Sequence, residues 1–192
     1  LVENTIKELK GVEGINNTIK EYDLQVRECF NVFTGKLKDY GVSWSHFRLE
    51  SITDQILIKA KRIRQIEGSG VNNVGDSINS EFIGIVNYSV IYMIQSKMIR
   101  KKEDIPSSEK STDMYKRYID LCRDLMIDKN KDYGEVWRDI RMTSITDLII
   151  TKLLRIKQIE NNGGKVEVSE GITSNYMDIV NYSFFYLIRK TI

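Results

Sequence analysis

Five cationic residues, Lys36, Lys38, Arg48, Lys59 and Arg62, return 93 positions later as Lys129, Lys131, Arg141, Lys152 and Arg155. Ammonium and guanidinium groups hold phosphate oxygens through charge-assisted hydrogen bonds, so a recurring cationic set predicts a phosphate-bearing ligand. Lys59 is the sharpest case. At helical spacing Ile52, Ile56, Lys59, Ile63 and Ile66 share one face, and Ile145, Ile149, Lys152, Ile156 and Ile159 repeat it. An ammonium inside an isoleucine stripe needs a buried acid, a ligand phosphate or a path to solvent, because an unpaired buried charge is costly. Trp44 and Trp137, also 93 apart, offer faces on which a base could stack; the competing reading is a core position beside a helix turn.

Acidic residues supply the other half of the candidate chemistry. Glu81 stands where the second copy has Asn175, and Asp178 stands where the first has Gly84, so each copy carries one carboxylate on the same helix face. Carboxylates together with phosphate oxygens and water suit Mg²⁺, which makes Glu81 and Asp178 the candidate metal ligands. Glu67, Asp76, Glu160 and Glu170 are further acids near the same turns. Solvated surface acids are the plainer alternative. Arg48 and Arg141 can pair with Asp54 and Asp147 or hold phosphate. Asn87 and Asn181, in largely apolar segments, suit an inter-helix hydrogen bond or a base edge. Cys29 and Cys122 sit in apolar stripes and read as core, and the single His46 aligns with Asp139. No Ser/His or Cys/His nucleophile pair is evident.

These residues are carried by a duplicated unit. Lys36-Leu-Lys-Asp-Tyr-Gly41 returns as Lys129-Asn-Lys-Asp-Tyr-Gly134, Ser51-Ile-Thr-Asp54 as Ser144-Ile-Thr-Asp147, and, after one inserted residue, Ile85-Val-Asn-Tyr-Ser89 as Ile179-Val-Asn-Tyr-Ser183. Each copy reads as three helices. The first bears the stripe Tyr22, Val26, Cys29, Phe33, echoed by Tyr115, Ile119, Cys122, Met126, and Ile15 and Ile19 extend it backwards. Ser111, Thr112 or Asp113 is the expected cap of its second version. The next helix is expected to start at Ser51 or Ser144 and to end at the Gly-rich turns 68–70 and 161–164. The last, from about Ser80 to Lys97 and Ser174 to Lys190, is apolar nearly all round and reads as central. Residues 165–168 alternate like a short strand. The expected organisation is an extension at 1–21, a first unit at 22–97, a linker at 98–112 and a second unit at 113–192. The fold class is all-α, with two tandem homologous three-helix units packed as an intramolecular pseudo-dimer.

Composition narrows the function classes. The 192 residues carry a net charge of +2, which argues against a general nucleic-acid coat and for a local anion site. Two Cys and one His argue against a Cys/His zinc site and against a disulfide framework, so a reducing cytoplasm is expected. No uninterrupted run approaches the roughly 18 apolar residues of a membrane span, and no secretory pattern opens the sequence.

The motif Lys-x-Lys-Asp-Tyr-Gly-x-x-Trp, followed by Arg, Ser-x-x-Asp, Lys-x-x-Arg-Ile and an Asn-Tyr helix, resembles the nucleotide modification associated domain family, first type, of bacteria and phage. The resemblance covers roughly residues 22–97 and 115–190. It implies an Asp before Asn-Tyr, which Asp178 matches and Gly84 does not, and a link to modified nucleotides. The acidic helices also resemble, more loosely, all-α nucleoside triphosphate pyrophosphohydrolases, although the paired Glu-x-x-Glu helix of those enzymes is missing here. The expected function is thus a nucleotide-handling protein that binds a phosphorylated nucleoside or another phosphorylated small molecule. If it is an enzyme, Mg²⁺-assisted phosphoanhydride hydrolysis is the reaction class that fits. The alternative is a non-catalytic helical module whose retained charges are internal salt bridges, with Lys59 and Arg62 paired to Asp54 or Glu67.

Overall fold

The computed structural model describes residues 2–165 and 170–191, the side chains of residues 2–13 and 15 excepted. Its six long helices are α1 (Val2–Tyr40), α2 (Leu49–Ser69), α3 (Ile78–Lys101), α4 (Ser108–Tyr133), α5 (Met142–Asn161) and α6 (Ile172–Thr191). Short 3-10 turns at Ser43–His46 and Val136–Arg138 join α1 to α2 and α4 to α5. No strand occurs among the described residues. Residues 166–168 of the expected strand, and the Ile15 side chain of the expected stripe, lie outside them. The all-α, two-unit fold is as the duplication predicts.

Helix starts differ from expectation for local reasons. Ser107 caps α4, its hydroxyl accepting the Lys110 amide N–H at 3.1 Å, so Ser111 and Thr112 lie one turn inside. In α2 and α5 the residues leaving the 3-10 turns, Arg48 and Arg141, take extended backbone and occupy the cap position without a side-chain cap. Ser51 and Ser144 therefore fall within the first turn.

The helices stack in three layers of two: α1 with α4, α3 with α6, and α2 with α5. α3 and α6 are covered from both sides, which accounts for their apolar character on nearly every face. By length and hydropathy α3 would suffice to cross a membrane, a property hidden from a count of uninterrupted apolar residues by Asn87 and its polar neighbours. Most of that stretch is buried inside the protein.

Contacts between the units come in reciprocal pairs, as a two-fold relation requires. Tyr22 donates to Asn181 Oδ1 at 2.8 Å, and Tyr115 donates to Asn87 Oδ1 at 2.7 Å. Each Asn in turn donates to the carbonyl of its own unit's cysteine, Asn87 to Cys29 at 3.1 Å and Asn181 to Cys122 at 2.9 Å. The structural role of the asparagines is the one observed. Thr53 donates to Glu160 at 2.6 Å and Thr146 to Glu67 at 3.0 Å. Lys157 pairs with Asp54, and Arg64 approaches Asp147 at 3.7 Å. Phe82 stacks on Tyr186 and Tyr92 lies against Tyr176, with centroids 3.9 and 4.2 Å apart.

Glu67 and Glu160 are partly buried at this interface. Burial pushes both carboxyls above their ordinary value, and the threonine hydrogen bonds offset this only in part. The folded state then holds these protons more tightly than the unfolded chain, so stability falls as pH rises from the ordinary value of 4.5 through the raised folded values. The double variant Glu67→Gln, Glu160→Gln should flatten that decline in denaturant melts taken between about pH 4 and 7. A slope equal to that of the parent protein would refute the assignment.

Candidate functional site

The C-terminal turns of α1, the first 3-10 turn, α2 and α3 enclose a cavity of about 420 Å³. Gly41, with φ at 60°, ends α1 immediately after Tyr40 and lets the chain fold back through Ser43–His46. That reversal carries Trp44 inward, where it is 7% exposed. The Gln95 side-chain amide reaches from α3 to the carbonyls of Ser45 and Phe47 and fastens the turn. In the second unit Arg189 does the same with the carbonyls of Trp137, at 3.2 Å, and Ile140. These clamps escape a copy-to-copy comparison because the residue type changes from Gln to Arg.

Aromatic and cationic groups share the cavity wall. Phe33, Tyr40, Trp44, Phe47 and Tyr88 line it together with Lys36 and Lys59. Gly84 determines where Lys59 lies. A Cβ at Gly84 would stand 2.9 Å from Lys59 Cε and 3.2 Å from Nζ, so the lysine stem crosses α3 over a residue without a side chain. Its ammonium donates to Glu81 Oε2 at 3.0 Å. Arg62 donates to the other Glu81 oxygen, to Asn72 Oδ1 at 2.9 Å and to the Asp76 carbonyl at 3.2 Å, tying down the loop between α2 and α3. Lys36 is exposed and forms no ion pair among the described residues.

The second unit builds the equivalent place differently. Asp178 replaces Gly84, and its carboxylate accepts from Lys129 on one oxygen and from Lys152, at 2.6 Å, on the other. Glu170 lies 3.5 Å from Lys152. Burial would lower the Lys129 ammonium, but the hydrogen bond and charge of Asp178 outweigh it and hold the group above its ordinary value. Phe185, where the first unit has Ile91, stacks on Trp137 with centroids 4.4 Å apart and planes 7° apart. Arg138 lies 4.2 Å from the same ring. Trp137 is thus packed on its own chain, whereas Trp44 lines a cavity. Asn175, at the Glu81 position, donates to the carbonyls of Glu170 and Gly171 at 3.1 and 2.9 Å and so helps fix the start of α6.

The remaining candidate residues stand apart from the cavity. Lys38 and Arg155 are exposed, and Lys131 pairs with Asp128 at 2.8 Å on the surface. Arg48 and Arg141 are exposed at the starts of α2 and α5; Arg141 lines a separate depression with Asp139 and Asp147. Of the two readings open for Arg48 and Arg141, the pairs Arg48–Asp54 and Arg141–Asp147 do not form, because Asp54 and Asp147 reach across to Lys157 and Arg64. Lys59 and Arg62 likewise meet Glu81 rather than Asp54 or Glu67.

Glu81 and Asp178, the candidate Mg²⁺ ligands, are each held between two cations. Among the described residues no three His, Cys, Asp or Glu side chains cluster as metal ligands. Cys29 and Cys122 are buried, and burial pushes both thiols far up, as expected of core residues rather than nucleophiles.

No curated protein and no solved structure matches the chain. The model of the family described as nucleotide modification associated domain 1 matches twice, over residues 36–96 and 129–189. Those segments take in the Tyr-Gly reversal, the Trp turn and the lysine and Gly84 or Asp178 positions of both units. With more than half of its length matched, the chain belongs to the nucleotide modification associated domain 1 family, carried here as a tandem pair.

Proposed function

We propose that the protein binds a phosphorylated nucleoside in the cleft of the first unit. The observation that carries this reading is a cavity in which two lysines, Lys36 and Lys59, meet aromatic walls that include Trp44 and Tyr88. Ammonium groups suit the phosphate, and aromatic faces suit a base. Its volume of about 420 Å³ falls within the usual range for small-molecule sites, about 300–1,000 Å³. The reading is one of binding. Hydrolysis would need Glu81 to exchange Lys59 and Arg62 for Mg²⁺, so the metal enters as a variable of the test.

A thermal-shift panel of nucleoside mono- and triphosphates, with and without Mg²⁺, tests it. A true ligand at 100 times its dissociation constant adds roughly 2.7 kcal/mol and raises the melting temperature. Flat melting temperatures across the panel would sink the proposal.

A further inference from the structure

We infer that the ligand of the first-unit cleft presents a compact anionic group, of the phosphate-monoester class, to the space over Gly84, where it takes the role that the Asp178 carboxylate has in the second unit. The inference rests on the cleft reading above but does not require that the ligand carry a base. Its ground is the comparison of two homologous places within one chain. In the second unit Lys129 and Lys152 face two carboxylates, Asp178 and Glu170. In the first, Lys59 and Arg62 share the one carboxylate of Glu81, and Lys36 adds a third cation at the cavity. The helix carboxylate is displaced rather than lost, Glu81 standing where the second unit has Asn175, so what the first unit lacks is a negative charge at residue 84. Among the described residues no acidic one lines the cavity.

The cavity lies where that charge would stand. Gly84 and both lysines line it, and Lys59 Nζ is already 3.2 Å from where a Cβ of residue 84 would be. An external anion can therefore reach the two ammonium groups from the open side. In the second unit the chain's own carboxylate bridges the corresponding pair, and Phe185 stacked on Trp137 adds an aromatic ring where Ile91 stands in the first. The two units thus divide into one that receives an anion and one that carries its own. Binding should be one ligand per chain despite the duplication.

Calorimetric titration of the full chain with inorganic phosphate, a nucleoside monophosphate and the parent nucleoside provides the test, on the parent protein, Gly84→Asp and Gly84→Ala. The parent is expected to bind one phosphate-bearing ligand per chain. Gly84→Asp should raise the melting temperature of the free protein and weaken binding at least tenfold. Gly84→Ala, which displaces the flexible end of Lys59 without adding charge, should weaken it less. Should Gly84→Asp not fold, Lys36→Met at an exposed position should still reduce the affinity. Two equivalent sites per chain, binding undiminished in both Gly84→Asp and Lys36→Met, or no binding of any phosphate would overturn the inference. Nucleotide binding that ignores Gly84→Asp would overturn it while leaving the nucleotide reading intact. Phosphate binding of the expected pattern with no gain from the nucleoside would support it and remove the nucleotide reading.

Discussion

Replacing Lys152 with Met is expected to lower the free energy of unfolding by about 3 kcal/mol, whereas Lys59→Met should cost less than about 1 kcal/mol. The two lysines hold the same place in their stripes, and only their surroundings differ. The Lys152 side chain is 15% exposed and its partner Asp178 only 6%. Methionine fills the stem volume but leaves the carboxylate to Lys129 alone, whose own side chain is 43% exposed. Losing one of two cations places the effect near the lower end of the usual cost of breaking a buried pair, about 3–5 kcal/mol. Glu81, by contrast, keeps Arg62 when Lys59 is lost, and the Lys59 side chain is 26% exposed. Lys59→Met should act on the cleft instead, weakening anion binding in the titration described above. Denaturant melts of the two single variants decide the matter. Equal losses would mean that the first-unit lysine is as structural as the second.

The lysines also show how far the sequence can be read. Their place in an isoleucine stripe follows from helical spacing, and the need for a counter-charge follows from burial. The identity of the counter-charge does not. Glu81 is 22 residues from Lys59 in the chain, and Asp178 is 26 from Lys152 and 49 from Lys129, so only the packing of α2, or of α5 and α4, on the central helices brings them together. Asp54 and Glu67, nearer neighbours on the same helix, are the partners that spacing alone offers. They point across the two-fold interface, a direction set by tertiary packing. Gly84 was visible as a departure from its copy, but its consequence required the path of the Lys59 stem. The core was easier to read: the stripes through Tyr22, Cys29 and Phe33, and through Tyr115, Cys122 and Met126, are buried as their periodicity implies. The extended Arg48 and Arg141 shifted the starts of α2 and α5, because backbone conformation after a 3-10 turn outweighed a capping-box pattern.

Asn87→Leu should destabilise the protein by about 2–3 kcal/mol, and adding Tyr115→Phe to it should restore about 1–2 kcal/mol. Asn87 joins three helices: its amide donates to the Cys29 carbonyl in α1, and its oxygen accepts the hydroxyl of Tyr115 from α4. Leucine has nearly the same shape but no acceptor, so the Tyr115 hydroxyl, whose proton burial already makes hard to lose, would stay buried without a partner. Stranding a buried donor costs more than the hydrogen bond contributes when made. Removing both partners together is therefore milder than removing one. The Cys29 carbonyl lies within α1, where the backbone supplies an amide partner, so the loss falls mainly on the tyrosine. Two-fold symmetry makes the same demand of Asn181→Leu with Tyr22→Phe, since Tyr22 donates to Asn181 at 2.8 Å across the interface. Matching coupling energies in the two cycles would mean that this polar link holds the units together equally from both sides. If each double variant were instead as unstable as the sum of its single variants, the tyrosines would be packing residues whose hydroxyls contribute nothing to the pairing.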